Sequence, residues 1–238
     1  MPLAGVKCGG SKVSIQDCLD CELDFDCPAR PFRIVMLDQK VYGHGDYVST
    51  TLLTGCPLQS ILKREKPYYA DLNSFWYMTR GTIYHLVAEG AKKSKYWKHG
   101  EEFAEIRWKS KIGNPLIRST SDYLRLYKTM NNTFILYDFK TTMDMIKAVG
   151  SIKDYYLYQG NIYRLGLINN GYKVGNLRFM FMDMAGWKTV KYPVVPEQKV
   201  IDYVNWKYDC YLNRKGTPSG LCKNFCPVKE YCEFYKGD

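Results

Sequence analysis

The chain has 238 residues, 46% of them hydrophobic, and a formal net charge of +10, which suits one substantial core with a small appendage. No stretch approaches the ~20 apolar residues of a membrane span, and the opening MPLAGVKCGG lacks the apolar centre of a signal peptide. A reducing, cytoplasmic setting with no membrane partner is therefore expected. In that setting nine cysteines, an odd number, speak for metal binding over a disulfide framework. The 34 Lys and Arg residues are spread along the chain, implying either an anionic partner or a merely soluble basic surface.

Residues 1–33 show little periodicity and close at CPARPF, which marks a cysteine-rich appendage ahead of a main domain over 34–238. YVSTTLLTGCPLQSILKRE predicts helix, with Ser49, Thr50 or Thr51 as cap and Leu52, Leu53, Leu58, Ile61 and Leu62 as its apolar side. ADLNSFWYMTRGTIYHLVAEGAKKSKYW continues helical, bent or divided at Gly81. The period then changes to two. EEFAEIRWKSKIG, PLIRSTSDYLRLYKTM and NTFILYDFKTT read as three strands in a meander, with turns at GNP and MNN. SIKDYYLYQGNIYRLGLINN returns to helix although Gly160 lowers its propensity. A hairpin over KVGNLRFMFMDMAGWKTVKYPVV precedes a last helix opened by Pro196. This order predicts an α/β or α+β fold, a sheet flanked by helices.

The third strand contains an acid and a base. Asp138 and Lys140 share one face by the two-residue alternation, as a structural ion pair or as chemistry. The preceding strand carries Asp122, and a short antiparallel turn can bring the two aspartates together. Converging carboxylates repel unless a cation lies between them. Oxygen ligands suit Mg2+ or Mn2+, with Lys140 beside the water such a cation would activate, so the implied reaction is phosphodiester hydrolysis. His85 lies on a helix with Glu89 one turn later, and Gln159 and Tyr163 stand at i and i+4. Each of these is a weak signal alone.

Taken in order, GTIYHLVAEG, STSDYLRLYK, ILYDFKTT and YQGNIY resemble the His, Asp, Asp/Glu-x-Lys and Gln-x-x-x-Tyr series of RecB-like nucleases in the PD-(D/E)XK superfamily. The resemblance spans roughly residues 47 to 235 and is nearest to the CRISPR-associated Cas-four exonucleases, including virus-encoded relatives. It implies a restriction-endonuclease-like mixed sheet core, in a microbial cell or, for a viral protein, the host cytoplasm. It also implies that Asp122, Asp138, the Phe139 main-chain carbonyl and His85 bind Mg2+ or Mn2+, and that Lys140 serves the attacking water. Gln159 and Tyr163 would position the lysine and the DNA backbone; Glu89 has no firm role in the family and is a supporting residue only by its place one turn from His85. Two departures stand out: Asp138 where many members carry Glu, and Ser119, Thr120 and Ser121 where a glycine is common.

Eight of the nine cysteines form two sets. Cys222, Cys226 and Cys232 are crowded near the C-terminus, and spacing alone leaves zinc, iron–sulfur or unliganded thiols open. The resemblance adds Cys56 as a distant fourth and implies a 4Fe–4S cluster that clasps the first and last helical segments. Cys8, Cys18, Cys21 and Cys27 fit a small tetrahedral zinc knuckle of non-standard spacing, in an acidic setting that disfavours nucleic-acid contact.

Lys92, Lys93, Lys95, Lys98, Lys109 and Lys111, interleaved with Tyr96, Trp97 and Trp108, fit either a strand-binding groove or a solvated face over ordinary core aromatics. The expected activity is a metal-dependent DNA nuclease, foremost a single-stranded DNA exonuclease with endonuclease capacity. The alternative is an end-trimming or DNA-binding subunit of a recombination or integration complex, with a recombinase or integrase as its partner.

Overall fold

The computed structural model describes residues 3–8, 10–21, 34, 37, 46–142, 144–150, 152–183, 185–217, 222 and 226–235, with the backbone alone for 72–78. In chain order the elements begin with β1 (Leu3–Cys8), β2 (Ser11–Ser14), α1 (Ile15–Asp20), α2 (Thr50–Thr54), α3 (Pro57–Glu65), β3 (Tyr68–Asp71) and α4 (Leu72–Ala91). They continue with β4 (Glu102–Lys111), β5 (Leu116–Tyr127), β6 (Thr133–Thr141), α5 (Met145–Gly150), α6 (Asp154–Asn169), β7 (Val174–Met182), β8 (Trp187–Tyr192) and α7 (Glu197–Leu212). The chain divides into two compact units, one of Met1–Gly43, Cys56–Arg80 and Cys210–Asp238, the other of His44–Gly55 and Gly81–Asp209. The boundary expected after residue 33 falls in the stretch 22–45, of which only Ile34 and Leu37 are described.

In the first unit β1 is the middle strand of a three-stranded sheet, antiparallel to β2 and parallel to β3. Its core gathers Leu3, Val6, Cys18, Leu37 and Ala70. The Ser14 hydroxyl caps α1 by accepting from the Asp17 N–H at 3.0 Å. A second apolar cluster joins Leu58 and Leu62 of α3 to Val228, with Cys56, Cys226 and Cys232 packed against it.

The second unit is built on a five-stranded mixed sheet in the order β4-β5-β6-β7-β8, antiparallel except between β6 and β7. A parallel neighbour requires a crossover, and α5 and α6 supply it. The MNN turn between β5 and β6 carries Asn131 and Asn132 at φ 54° and 52°, the left-handed region that Asn tolerates best among side-chain-bearing residues. Of the three cap candidates before α2, Ser49 is the one whose Oγ accepts the Leu52 N–H, at 3.1 Å. Helix α4 runs unbroken through Gly81.

Helix α6 approaches the sheet closely where its glycines lie. A Cβ on Gly166 would sit 2.3 Å from the Trp108 ring, and one on Gly160 3.3 Å from Phe179. The helix propensity that Gly160 forfeits therefore allows close contact with the sheet. Among the described residues no helix is long and apolar enough to cross a membrane.

Candidate metal centre

The centre grows from the register of β5 and β6. Their last paired rung is Tyr123 against Tyr137, so the next position sets Asp122 opposite Asp138. Both carboxylates are buried, at 4% and 2% exposure. The Phe139 N–H donates to Asp122 Oδ2 at 2.6 Å, and Lys140 Nζ donates to Asp138 Oδ1 at 2.6 Å. Among the described residues Asp138 Oδ2 is buried and accepts no hydrogen bond. Burial pushes the Asp138 carboxyl up to about 7, with the Lys140 charge opposing the rise and the Asp122 charge adding to it. The pairing of Asp138 with Lys140 on one face is what strand alternation predicts.

His85 comes from α4. Its Nδ1 lies 2.7 Å from Glu105 Oε1 and 3.6 Å from Asp122 Oδ1. The hydrogen bond to Glu105 raises the His85 pKa above its usual value, with the Asp122 charge in support and desolvation and Lys140 opposed. Glu105 belongs to no motif in the sequence. It sits in β4 at φ 51°, a left-handed backbone that costs a non-glycine residue about 1–2 kcal/mol. Such a cost is commonly retained at functional sites. The only advance signal is an acid inside a strand otherwise of alternating pattern. Glu89, by contrast, is exposed and lies 3.9 Å from Lys92, so Glu105 rather than Glu89 is the acid beside His85.

Lys140 is held on its other side by aromatic rings, lying 5.1 Å from the centroid of Tyr156 and 5.7 Å from that of Phe179. On α6, Gln159 Nε2 donates to the Tyr163 hydroxyl at 2.8 Å. Tyr163 is buried, and its pKa is driven upward by desolvation and then by the Asp138 and Asp122 charges, while hydrogen bonds to Gln159 and Ser119 oppose the rise. Ser121 accepts the Trp108 Nε1–H at 2.8 Å. Both serines that stand where a glycine is common thus brace neighbouring aromatics.

Trp108 is 3% exposed and part of the core, so it offers no face to a nucleic-acid strand. Tyr96 is 80% exposed, Trp97 is half-buried, and Lys93, Lys95, Lys98, Lys109 and Lys111 are exposed.

In the first unit, Cys56, Cys226 and Cys232 gather around Val228. The Cys232 thiol is pushed up by burial, opposed by a backbone hydrogen bond at Phe234, and raised further by the charges of Cys226, Cys56 and Cys222. Of the N-terminal set, Cys18 is buried in the apolar core, Cys8 is exposed and Cys21 is half-buried. Cys27 lies outside the described residues.

The second unit's donors fit a divalent cation. A buried carboxylate oxygen without a donor is costly, and a second carboxylate faces it across the strand pair. His85, Glu105 and Asp122 each offer one ligand atom, all within 4.8 Å of one another. One imidazole among carboxylates suits a hard or borderline cation such as Mg2+ or Mn2+.

No family model matches the chain, and no curated protein matches it. Solved structures share its fold. The crystal structure of SSO0001 superposes with a TM-score of 0.58 at 14% identity, covering 82% of this chain and 90% of that one. A Eubacterium rectale protein described as a "putative exonuclease" gives a TM-score of 0.50 at 12% identity, covering 75% and 86%. At such identities the likeness defines a fold, a mixed α/β sheet flanked by helices.

Proposed function

We propose that the second unit is a divalent-metal-dependent deoxyribonuclease, acting on single-stranded DNA chiefly as an exonuclease, with endonuclease action as a lesser capacity. The observation that carries this reading is the buried Asp138 carboxylate, with one oxygen against Lys140 Nζ and the other accepting no hydrogen bond among the described residues, set opposite Asp122. The fold shared with the described exonuclease supports the same reaction class. The ordered resemblance of His85, Asp122, Asp138, Lys140, Gln159 and Tyr163 to the Cas-four branch supports it independently.

His85, Asp122, Asp138 and the Phe139 carbonyl would hold Mg2+ or Mn2+, with Glu105 beside them. When bound, the cation supplies Lewis acidity toward the phosphate and makes water a stronger nucleophile at neutral pH. Lys140, pinned by Asp138 and packed on Tyr156, orients the attacking water and offsets charge on the phosphate as one P–O bond forms and the opposite one breaks. The Phe139 N–H keeps Asp122 Oδ2 aimed. Gln159 and Tyr163, hydrogen-bonded to each other, would position the lysine and the DNA backbone.

In the first unit we assign a 4Fe–4S cluster to Cys56, Cys222, Cys226 and Cys232, and zinc to Cys8, Cys18, Cys21 and Cys27. A recombinase or integrase partner in a CRISPR-linked or other DNA-recombination setting belongs to the same reading. The test is digestion of single strands labelled at either end, with Mg2+ or Mn2+, by wild type, Asp138→Ala and Lys140→Ala. Wild type should shorten the strands, and each variant should be slower by about 100-fold or more. Strands left equally intact by all three proteins would replace the enzyme reading with that of a DNA-binding subunit.

A further inference from the structure

Phe139 belongs to two places at once. Its main chain anchors Asp122 in the metal centre, and its side chain helps line a cavity of about 330 Å3 whose other walls include Ala88, Tyr96, Trp97, Glu102 and Tyr123. Strand alternation turns Tyr123 and Phe139 to the face opposite Asp138 and Lys140. Ala88 stands one helical turn beyond His85, so the cavity runs along α4 away from the ligand cluster. Trp97 and Glu102 also line a second cavity, of about 340 Å3, together with Lys92 and His99.

The walls are flat and aromatic. Trp97 and Tyr123 have ring centroids 6.0 Å apart, tilted at 58°, and Tyr123 meets Tyr137 at 5.5 Å. The Tyr123 hydroxyl donates to Glu102 Oε1 at 2.9 Å, which fixes that ring, and the Lys98 N–H donates to Glu102 Oε2 at 3.1 Å. With Glu102 held by Tyr123 and Lys98 and most of the remaining lining aromatic or alanine, the pocket offers stacking faces more than groups that read a base edge. Exposed Lys95 and Lys98 and half-buried Lys92 supply positive charge nearby. The flat walls, the charge and the adjoining phosphodiester chemistry suit one occupant, an unpaired nucleobase. A base in a duplex has both faces stacked and cannot enter such a pocket without being flipped.

We propose that Trp97 and Tyr123 hold one unpaired nucleobase of the strand whose scissile phosphate lies at the Asp122–Asp138 centre, by stacking and without regard to base identity. This rests on the nuclease reading above and adds to it a subsite and the reason for a single-strand preference. Wild type, Trp97→Ala and Trp97→Phe are compared on a single strand and on the same strand bearing abasic residues next to the cleaved bonds. Binding of both strands is also measured in EDTA by fluorescence anisotropy.

Wild type should favour the intact strand by about 10–100-fold, the loss expected when one stacked base is removed. That ratio should fall towards one in Trp97→Ala and largely return in Trp97→Phe, while exchanging one base for another should change little. Equal handling of intact and abasic strands by wild type, or an unchanged ratio in Trp97→Ala, would overturn the proposal. The ratio compares two substrates on one protein, so partial loss of active variant does not alter it. If wild type cuts neither strand, the nuclease reading fails by itself, and the same preference measured as binding in EDTA still decides for or against the pocket.

Discussion

Removing the charge from Asp138 should change how stability depends on pH. The Asp138 carboxyl is raised from 3.8 to about 7 by burial, so across that range the folded chain keeps a proton that the unfolded chain has released. Where the folded state binds more protons, stability falls as pH rises, by about 1.4 kcal/mol per pH unit for one group. Over the whole interval the contribution is about 4 kcal/mol, and between about pH 5.5 and 7 it is about 2 kcal/mol. The pairs Glu65–Arg214 and Glu101–Lys128 depress their glutamates and act in the opposite sense, but at lower pH. His85 is raised, so its contribution is present below its ordinary value and is lost as pH climbs through the higher one, in the same direction as Asp138.

The assay is urea unfolding in EDTA, followed by tryptophan fluorescence, at several pH values. Wild type should lose about 2 kcal/mol between about pH 5.5 and 7, and Asp138→Asn should retain only the His85 contribution. Mn2+ favours ionised carboxylates and neutral imidazole, so it should reverse the trend and stabilise wild type more at about pH 7.5 than at about pH 5.5. A flat wild-type curve in EDTA, or an equal Mn2+ effect at both pH values, would refute the argument that Asp138 is a desolvated carboxylate awaiting a cation.

Glu105→Gln keeps the shape of the side chain but removes its charge beside His85, and should weaken Mn2+ binding by about 10–100-fold, read by titration calorimetry; unchanged affinity would exclude Glu105 from the metal centre. Gly166→Ala places a methyl 2.3 Å from the Trp108 ring and should cost about 1–3 kcal/mol in urea unfolding. A neutral result would mean that α6 can move away from β4 freely. Anaerobically purified wild type should be brown and contain iron and acid-labile sulfide, both lost in Cys232→Ala; colourless protein carrying only zinc would overturn the cluster assignment.

The parts of the centre legible in the sequence are those fixed by local rules. Alternation sets Asp138 and Lys140 on one face, and the short turn at Asn131 and Asn132 fixes the register that brings Asp122 opposite Asp138. The strands from β4 onward and the long helices α6 and α7 follow from changes of period, and the start of α2 from its Ser49 cap, whereas the short β3 and α5 and the break between α2 and α3 carry no periodic signal of their own. Strands β1 and β2 are short, and the segment containing them gave no periodic signal, so they went unseen. Trp108 fits a stacking residue on sequence because aromatics among lysines suit a groove as well as a core. Its burial depends on the absence of a side chain at Gly166, on a helix distant in sequence.

Glu105 was missed for a different reason, and it bears most directly on function. An alternating strand should place its carboxylate by position alone, but a left-handed backbone at that one residue accompanies its hydrogen bond to His85. Pattern rules describe residues in ordinary conformations, so they are least informative where a chain accepts backbone strain to aim a side chain. The same logic separates the two faces of β6. On one face, alternation suffices to bring Asp138 to Lys140. On the other, Phe139 and Tyr123 acquire meaning only when α4 and the segment containing Trp97 close over them. A cation centre can therefore be inferred from strand grammar, whereas the pocket that would select the strand to be cut is visible only in three dimensions.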